Sequence, residues 1–259
     1  MHMYFRDLRR ALRRSVAALV VCAWAPAAAV AADLRIATEG YYAPFNYIDE
    51  AGNLAGFDID IARALCASMQ VECDIVRNDW DALIPGLRAN EYDLIVASMS
   101  ITAEREEKVA FSLPYYTNML TFIGKRDQGL KLSDDALRGK KVGVLRSTVS
   151  SQYLEDTYAD LVEVQLYDTQ DQALSDLAGG AVDLVLGDNL PSYSWLQTDA
   201  GRAHEFVGEF IDINDRIGIA ARKDALDLID QVNEALIELI DNGTYQEINA
   251  KYFPFSIYF

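Results

Sequence analysis

The sequence has few of the residues that metal binding and nucleophilic catalysis most often require. Its 259 residues include two histidines and three cysteines, and only one histidine, His204, lies beyond residue 2. A zinc site needs several Cys, His or acidic ligands close together, and a Ser-His or Cys-His pair needs a histidine that serves a nucleophile. His204 has no serine or cysteine motif to serve. We therefore expect no metal site, no cofactor and no enzymatic activity.

Basic residues are also scarce. The chain has 23 Lys and Arg against 40 Asp and Glu, a net charge of −17. Nucleic-acid binding depends on a high density of Lys and Arg, so we expect no nucleic-acid partner. An acidic surface favours encounter with cationic solutes. It also keeps an exported protein soluble, and charge alone favours this simpler interpretation.

Long hydrophobic runs are absent after the N-terminus. Residues 6–14 hold five arginines, and an apolar run follows that is interrupted by Pro26 and ends in small residues. This pattern is typical of a secretory signal peptide, with cleavage after Ala31. No later stretch reaches the roughly 18 apolar residues that a membrane span needs. Without residues 1–31, which hold five basic residues and one acid, 228 residues with a net charge of −21 remain. We expect an exported, soluble protein with one large domain or two lobes.

Two cysteines remain after this cleavage, Cys66 and Cys73, seven positions apart. An even pair this close, in an oxidising compartment, indicates one disulfide. It would join the end of a helix to the strand that follows.

Apolar runs alternate with helical patterns in two series. This alternation predicts parallel sheets covered by helices on both faces. A β-rich segment at 115–126 separates the two series. Near the C-terminus, a helix with an apolar stripe is expected to pack on the lobe formed by the first series. We therefore expect an α/β protein of two lobes, each a mostly parallel sheet flanked by helices, with a ligand cleft between them. The predicted strands are LRIA (34–37), CDIVR (73–77), YDLIVAS (92–98), KKVGVL (140–145) and AVDLVLGD (181–188).

Acidic and aromatic residues follow the first predicted strands. Glu39 and Tyr42 come directly after LRIA, and Trp80 follows CDIVR. An acid beside an aromatic face suits a cationic group. The alternative is structural, because Glu39 can bond the turn while Tyr42 and Trp80 pack at the edges of a lobe.

Anion-binding groups follow other strands. Ser98, Ser100 and Arg105 come after YDLIVA, and an arginine fork binds a carboxylate well. Thr148 opens a helix, whose first N–H groups attract anions. Thr148 also fits a plain N-cap, and Arg105 is also placed to pair with neighbouring glutamates.

Asp188 ends the strand AVDLVLGD and is placed either to bind an ammonium group or to cap the next helix. Together these groups supply donors for an α-carboxylate and acids for cationic groups. That combination suits a zwitterion with a cationic side chain.

The order of these motifs resembles the periplasmic solute-binding proteins of polar amino-acid ABC transporters, family 3, of the type that binds arginine or lysine, arginine, ornithine and histidine. The matching segments span the mature chain. They are ATEGYYAPFN, GFDIDIARALC, WDALIPGL, YDLIVASMSITAERE, VAFSLPYY, LRGKKVGVLRST, AVDLVLGD and DNGTYQEINAKYF.

The resemblance implies a two-lobed type II binding protein, a monomer that closes on a cationic amino acid, arginine favoured, and delivers it to a membrane permease. Lobe 1 would comprise residues 32–117 and 214–259, and lobe 2 residues 118–213. The resemblance also assigns roles to the site residues. Arg105, assisted by Ser100 and the Thr148 backbone, would bind the α-carboxylate. Asp188, with the Ser98 region nearby, would bind the α-ammonium group. Tyr42 and Trp80 would pack on the two faces of the ligand side chain, and Glu39 would face the charge at its end.

Two departures affect the ligand assignment. Val149 stands where many relatives have a second threonine, and Ala97 replaces a small polar residue. The resemblance leaves alternatives open: binding of an opine such as octopine or nopaline, a periplasmic dehydratase of prephenate or arogenate on the same fold, or a sensor that feeds no transporter.

Overall fold

The computed structural model describes residues 34–126, 129–130 and 132–258. The signal peptide predicted at 1–31 lies outside these residues. In chain order the elements are β1 (Leu34–Thr38), β2 (Tyr41–Tyr42), β3 (Asn46–Ile48), β4 (Leu54–Ala55), α1 (Phe57–Met69), β5 (Cys73–Arg77), α2 (Trp80–Arg88), β6 (Leu94–Ile95), α3 (Ala103–Glu106), β7 (Val109–Phe111), β8 (Tyr116–Lys125), α4 (Asp134–Leu137), β9 (Lys141–Leu145), α5 (Val149–Tyr158), β10 (Glu163–Tyr167), α6 (Gln170–Gly179), β11 (Leu184–Asp188), α7 (Asn189–Leu196), β12 (His204–Ile217), β13 (Ala220–Arg222), α8 (Leu226–Asp241) and α9 (Thr244–Tyr252).

The first sheet has the strand order β5-β1-β6-β13-β7. Strand β1 pairs in parallel with β5 and β6, whereas β13 is antiparallel to β6 and β7. The parallel pairs are those joined by helical crossovers, as the alternating pattern predicts. Strand β6 is shorter than the predicted 92–98, because the chain leaves the ladder after Val96 and Ser98 takes a left-handed conformation with φ 52°.

The second sheet has the order β10-β9-β11-β8-β12. Strand β9 is parallel to β10 and β11, and β8 is antiparallel to β11 and β12. The extended segment predicted at 115–126 is confirmed as β8. Its long partner β12 was not predicted. The two strands pair from Tyr116–Ile217, near the first sheet, to His204–Lys125 at the far end of the second.

Each sheet has its own apolar core. In α1, Phe57, Ile61 and Leu65 recur at helical spacing and are completely buried. Helix α8 packs against α1 through Val232, Leu236 and Leu239. A separate cluster covers the second sheet and includes Leu120, Phe122, Val142, Val144, Leu184 and Leu186. Among the helices described, none has the length and apolar character needed to cross a membrane.

The predicted disulfide is confirmed. Cys66 lies in α1 and Cys73 is the first residue of β5, and their sulfur atoms are bonded at 1.98 Å. The bond closes a short loop between a helix of the first core and an edge strand of the first sheet.

Replacing both cysteines with alanine should lower the free energy of unfolding by roughly 2–3 kcal/mol, because the unfolded chain regains the entropy of an eight-residue loop. The measurement is chemical denaturation of the mature protein. Reduction of the wild type should give the same loss, and the double variant should not respond to reductant. Equal stability of reduced and oxidised wild type would contradict this account.

Candidate functional site

All eight residues predicted to bind ligand line one cavity between the ends of the two sheets. The empty space between its walls, open solvent included, is about 420 Å³. Besides the predicted Glu39, Tyr42, Trp80, Ser98, Ser100, Arg105, Thr148 and Asp188, the walls include Ala97, Leu145, Val149, Ser150, Gln170, Leu186 and Gly187.

The parallel strands explain why residues far apart in sequence meet here. Glu39 follows β1, Ser98 follows β6, Thr148 follows β9, and Asp188 ends β11. The carboxyl ends of parallel strands share one edge of a sheet, and ligands of open α/β sheets bind outside that edge. The cavity is where two such edges face each other.

Arg105 and Trp80 contact the opposite wall through one carbonyl group. Thr102 caps α3 by accepting a hydrogen bond from the backbone N–H of Arg105 at 3.2 Å, which fixes the backbone of Arg105. The Nη1 of Arg105 donates to the Ser100 carbonyl at 2.9 Å, and its Nη2 donates to the Ser147 carbonyl at 3.1 Å. Trp80 Nε1 donates to the same Ser147 carbonyl at 3.2 Å. Ser147 has φ 58°, a left-handed conformation that is uncommon outside glycine.

Trp80 lies next to the guanidinium as well. The Arg105 Cζ is 5.2 Å from the centre of the Trp80 ring, within the range of a cation–π contact. The ring therefore supports Arg105 and forms part of the cavity wall.

Thr148 is an N-cap, which was the simpler of the two sequence interpretations. Its Oγ1 accepts from the Ser151 N–H at 3.2 Å and donates to the Leu145 carbonyl at 2.7 Å. Its own N–H donates to Ser151 Oγ at 3.2 Å. The Thr148 N–H is thus occupied, and the amides of Val149 and Ser150 are the next helix-start donors at the cavity.

Asp188 lies at the end of β11 among polar side chains from both sheets. The Tyr42 hydroxyl donates to Asp188 Oδ2, which links a strand of the three-stranded sheet β2-β3-β4 to the second sheet. Burial raises the pKa of Asp188 to about 7, and the charge of nearby Asp215 adds to the rise. Hydrogen bonds from Tyr42 and Asn118 and the positive charge of Arg105 lower the pKa and offset part of this rise. Tyr42 therefore contributes a hydroxyl donor to this site, a role that its sequence position did not reveal.

Glu39 is buried among other acids. Only 3% of its surface is exposed, and its Oε1 has no hydrogen-bond partner in the protein. Burial raises the pKa of Glu39 to about 7, and repulsion from Asp171, Asp79 and Asp81 adds to the rise. Buried polar atoms are nearly always paired, so this oxygen marks a place where a donor from a ligand is expected.

One residue of the cavity wall, Gln170, and a polar pair outside the wall were missed in the sequence. Gln170 is buried, lines the cavity and has an unpartnered Nε2 that lies against Gly187. Gln170 lies three residues after the end of β10, so the same rule of strand ends, applied to the segment Glu163–Tyr167, would have found it. Asp215 and Asn118 face each other on β12 and β8, where the sequence carries no strand-end signal.

Within the described ranges, no cluster of three or more His, Cys, Asp or Glu side chains is placed to hold a metal ion.

Comparison with known proteins agrees with this geometry. The family model of bacterial extracellular solute-binding proteins, family 3, matches residues 34–255. A lysine/arginine/ornithine-binding periplasmic protein of Escherichia coli strain K12 is 38% identical over 237 residues, covering 89% of this chain and 91% of that protein. An L-arginine-binding protein of Pseudomonas aeruginosa is 38% identical over 231 residues, covering 87% and 89%.

A solved structure of an ancestral arginine-binding protein bound to arginine matches with a TM-score of 0.80 and 35% identity, covering 85% of this chain and 97% of that one. The likeness confirms the predicted two-lobed α/β fold of type II periplasmic binding proteins. The relatives are binding proteins, in agreement with the prediction that this chain is not an enzyme. The chain belongs to the bacterial extracellular solute-binding proteins, family 3.

Proposed function

We propose that this protein is the periplasmic substrate-binding component of an ABC importer, and that it binds a cationic L-amino acid, with arginine favoured over lysine, ornithine and histidine. The observation that carries the proposal is the buried Glu39 carboxylate, which has an unpartnered oxygen and acids around it. A guanidinium or ammonium group supplies the donors and the positive charge that this environment lacks.

The carboxylate of the ligand is assigned to Arg105 and the start of α5. Arg105 is the only cationic side chain among the described residues that line the cavity. Two of its five N–H donors are used on carbonyl groups, and the others are available to a carboxylate. The first amides of α5 add donors without adding a charge.

The α-ammonium group is assigned to Asp188, with Ser98 nearby. The cavity then has two acids, Glu39 and Asp188, against one base, Arg105. A zwitterion with a cationic side chain has the opposite imbalance, two positive groups against one negative group. This charge match favours arginine over a neutral amino acid.

Closure of two lobes is supported by the contacts that cross the cavity. Arg105 and Trp80 reach Ser147, and Tyr42 reaches Asp188. We place lobe 1 at residues 32–117 and 214–259 and lobe 2 at residues 118–213, so that β8 and β12 form the two crossing segments. A membrane permease as partner, a monomeric state and export through the N-terminal signal peptide are part of the same proposal.

The experiment that tests the function is thermal unfolding of the ligand-stripped mature protein with a panel of amino acids and opines. A ligand at 1,000 times its Kd stabilises by about 4 kcal/mol, an easily measured rise in Tm. We expect arginine to give the largest shift. A shift led by octopine or nopaline would move the protein to the opine-binding alternative, and no shift with any cationic amino acid would contradict the proposal. Loss of labelled arginine uptake on gene deletion would separate a transport role from a sensor role.

Arg105→Ala should weaken arginine binding by roughly 30-fold to several thousand-fold, the usual effect of removing one partner of a buried charge pair. Isothermal titration calorimetry measures the change. Arg88→Ala, an exposed arginine on α2, is the matched control and should bind as the wild type does. Unchanged affinity in Arg105→Ala would show that the ligand carboxylate lies elsewhere.

Glu39→Gln should lower arginine affinity by roughly 10- to 100-fold, because a charged hydrogen bond is lost. Affinity for L-glutamine, which has no side-chain charge, should change by much less. Glu50→Gln, at an exposed position, is the control. A variant that loses affinity for both ligands equally would argue against contact between Glu39 and the side-chain cation.

Arginine affinity should also fall with acidification. Glu39 and Asp188 have a pKa of about 7 before ligand binds, and a bound cation favours their ionised forms, so binding releases protons. Affinity is therefore greatest above pH 7 and decreases below it. The decrease is about 30-fold between pH 8 and 5.5 for each group that must ionise. Calorimetry at several pH values measures this dependence, and Glu39→Gln should have a shallower one. A pH-independent Kd would contradict this mechanism.

A further inference from the structure

Gln170 is a polar residue of the cavity wall to which the proposed binding mode gives no role. It begins α6, next to the N-cap Thr169, whose side chain accepts from the Gln172 N–H at 3.3 Å. Only 3% of the Gln170 surface is exposed, and its Nε2 has no hydrogen-bond partner among the described residues. A buried donor without a partner is costly, so this amide indicates that the cavity takes a ligand acceptor as well as ligand donors.

Gly187 leaves the space in which this amide lies. The Gln170 Nε2 is 2.8 Å from the position that a Cβ atom on residue 187 would occupy, so a larger residue there would displace the amide. Gly187 lines the cavity itself, and it directly precedes Asp188 in β11. The amide of Gln170 therefore covers the backbone near the end of β11, and it does so at the cavity wall.

Glu39 belongs to the opposite wall. It follows β1 of the first sheet, whereas Gln170 follows β10 of the second. The two walls are close here, because α6 lies against β2, which begins two residues after Glu39. Glu39 Oε1 also lacks a hydrogen-bond partner among the described residues. One buried acceptor and one buried donor are thus unpaired in the same cavity, and they do not pair with each other.

The end group of a cationic side chain satisfies only one of these two groups. A guanidinium has donors and no acceptor, so it pairs with Glu39 and leaves Gln170 Nε2 unpaired. A half-turn of the glutamine amide exchanges its nitrogen and oxygen, and the oxygen then accepts a second bond from the guanidinium. A ureido group has the planar shape of a guanidinium but carries a carbonyl oxygen. It satisfies both protein groups without the half-turn, because its NH₂ donates to Glu39 and its oxygen accepts from Gln170.

We propose that Gln170 is a specificity-determining residue that admits amino acids with a neutral ureido end in addition to those with a guanidinium end. Glu39 accepts in both cases, and the Gln170 amide supplies an acceptor or a donor according to its orientation. L-Citrulline, in which an oxygen replaces one guanidinium nitrogen of arginine, is the ligand that fits. The inference rests on the proposed function, since it concerns the far end of the ligand side chain in the same cavity.

Gln170→Glu tests the proposal, because it keeps an acceptor in nearly the same place and removes the donor. Isothermal titration calorimetry of the mature protein measures the Kd of L-arginine and of L-citrulline. We expect citrulline affinity to fall roughly 10- to 100-fold, since its buried oxygen loses its donor, while arginine affinity stays within about threefold or rises. Gln172→Glu is the matched control. It adds the same charge at an exposed position of the same helix and should leave both Kd values as in the wild type.

Gln170→Leu is the second variant, which nearly keeps the size of the side chain and adds no charge. Citrulline affinity should again fall roughly 10- to 100-fold. Arginine affinity should fall by less, about tenfold at most, because arginine loses one neutral hydrogen bond and keeps its charge pair with Glu39. Equal losses for the two ligands in both variants, or an unchanged citrulline Kd in either, would overturn the proposal.

Titrations of the wild type distinguish this inference from the proposed function. Binding of arginine without binding of citrulline would overturn the role of Gln170 and leave the proposed function intact. Binding of citrulline without binding of arginine would contradict the preference for cationic ligands, and the loss of citrulline affinity in Gln170→Glu would still support the role of Gln170. If neither ligand binds, both proposals are wrong.

Discussion

Buried negative charge is the constraint on which the cavity depends. Glu39, Asp188 and Asp215 are largely removed from water, and Arg105 is the one cationic side chain that lines the described cavity. Isolated buried charges are costly, so carboxyl groups in this position either keep a proton or acquire a cation. The pKa values of Glu39 and Asp188, raised to about 7, express this balance. A ligand with two positive groups replaces those protons and removes the repulsion among the acids.

The same charges lie where the two sheets are joined. Asp215 and Asn118 face each other on β12 and β8, the strands that run from the first sheet into the second. Asp188 ends a central strand of the second sheet, and Ser100 bridges to β12 beside the first. An ammonium group bound among these residues therefore acts on both sheets at their junction. Electrostatic stabilisation by the ligand and the relative placement of the sheets depend on the same few contacts.

Much of this site could be predicted because it depends on local order along the chain. In a βαβ series, the residue after each parallel strand must lie at one sheet edge, so Glu39, Ser98, Thr148 and Asp188 converge whatever the loop geometry. The sheets, the α1 stripe and the Cys66–Cys73 bond follow from short-range patterns of the same kind. In each of these features, residues that are close in sequence, or that end neighbouring parallel strands, are also close in space.

The features that were missed depend on strand register. The long strand β12 lacks a regular alternation, since its pairing with β8 shifts between Val207 and Ile211 and again between Ile211 and Asp215. Without that register, nothing in the sequence places Asp215 diagonal to Ser100, which lies more than a hundred residues earlier. The hydroxyl partner of Tyr42 is likewise 146 residues away. The direction of a hydroxyl proton depends on such distant partners, which residue type alone does not reveal.

Arg105 connects recognition to closure. Its guanidinium donates to the Ser100 carbonyl on its own side and to the Ser147 carbonyl on the other, while the Trp80 ring lies within cation–π distance of it and the ring N–H donates to the same Ser147 oxygen. A planar guanidinium fixed in this way has a set orientation for its remaining donors. A ligand carboxylate that binds those donors also fixes the group that holds Ser147. Ligands without a carboxylate reach the acidic side of the cavity but do not strengthen this link. In the proposed binding mode, each of the three charges of a cationic amino acid has a partner: one positive group at Glu39, one at Asp188, and the negative group at Arg105.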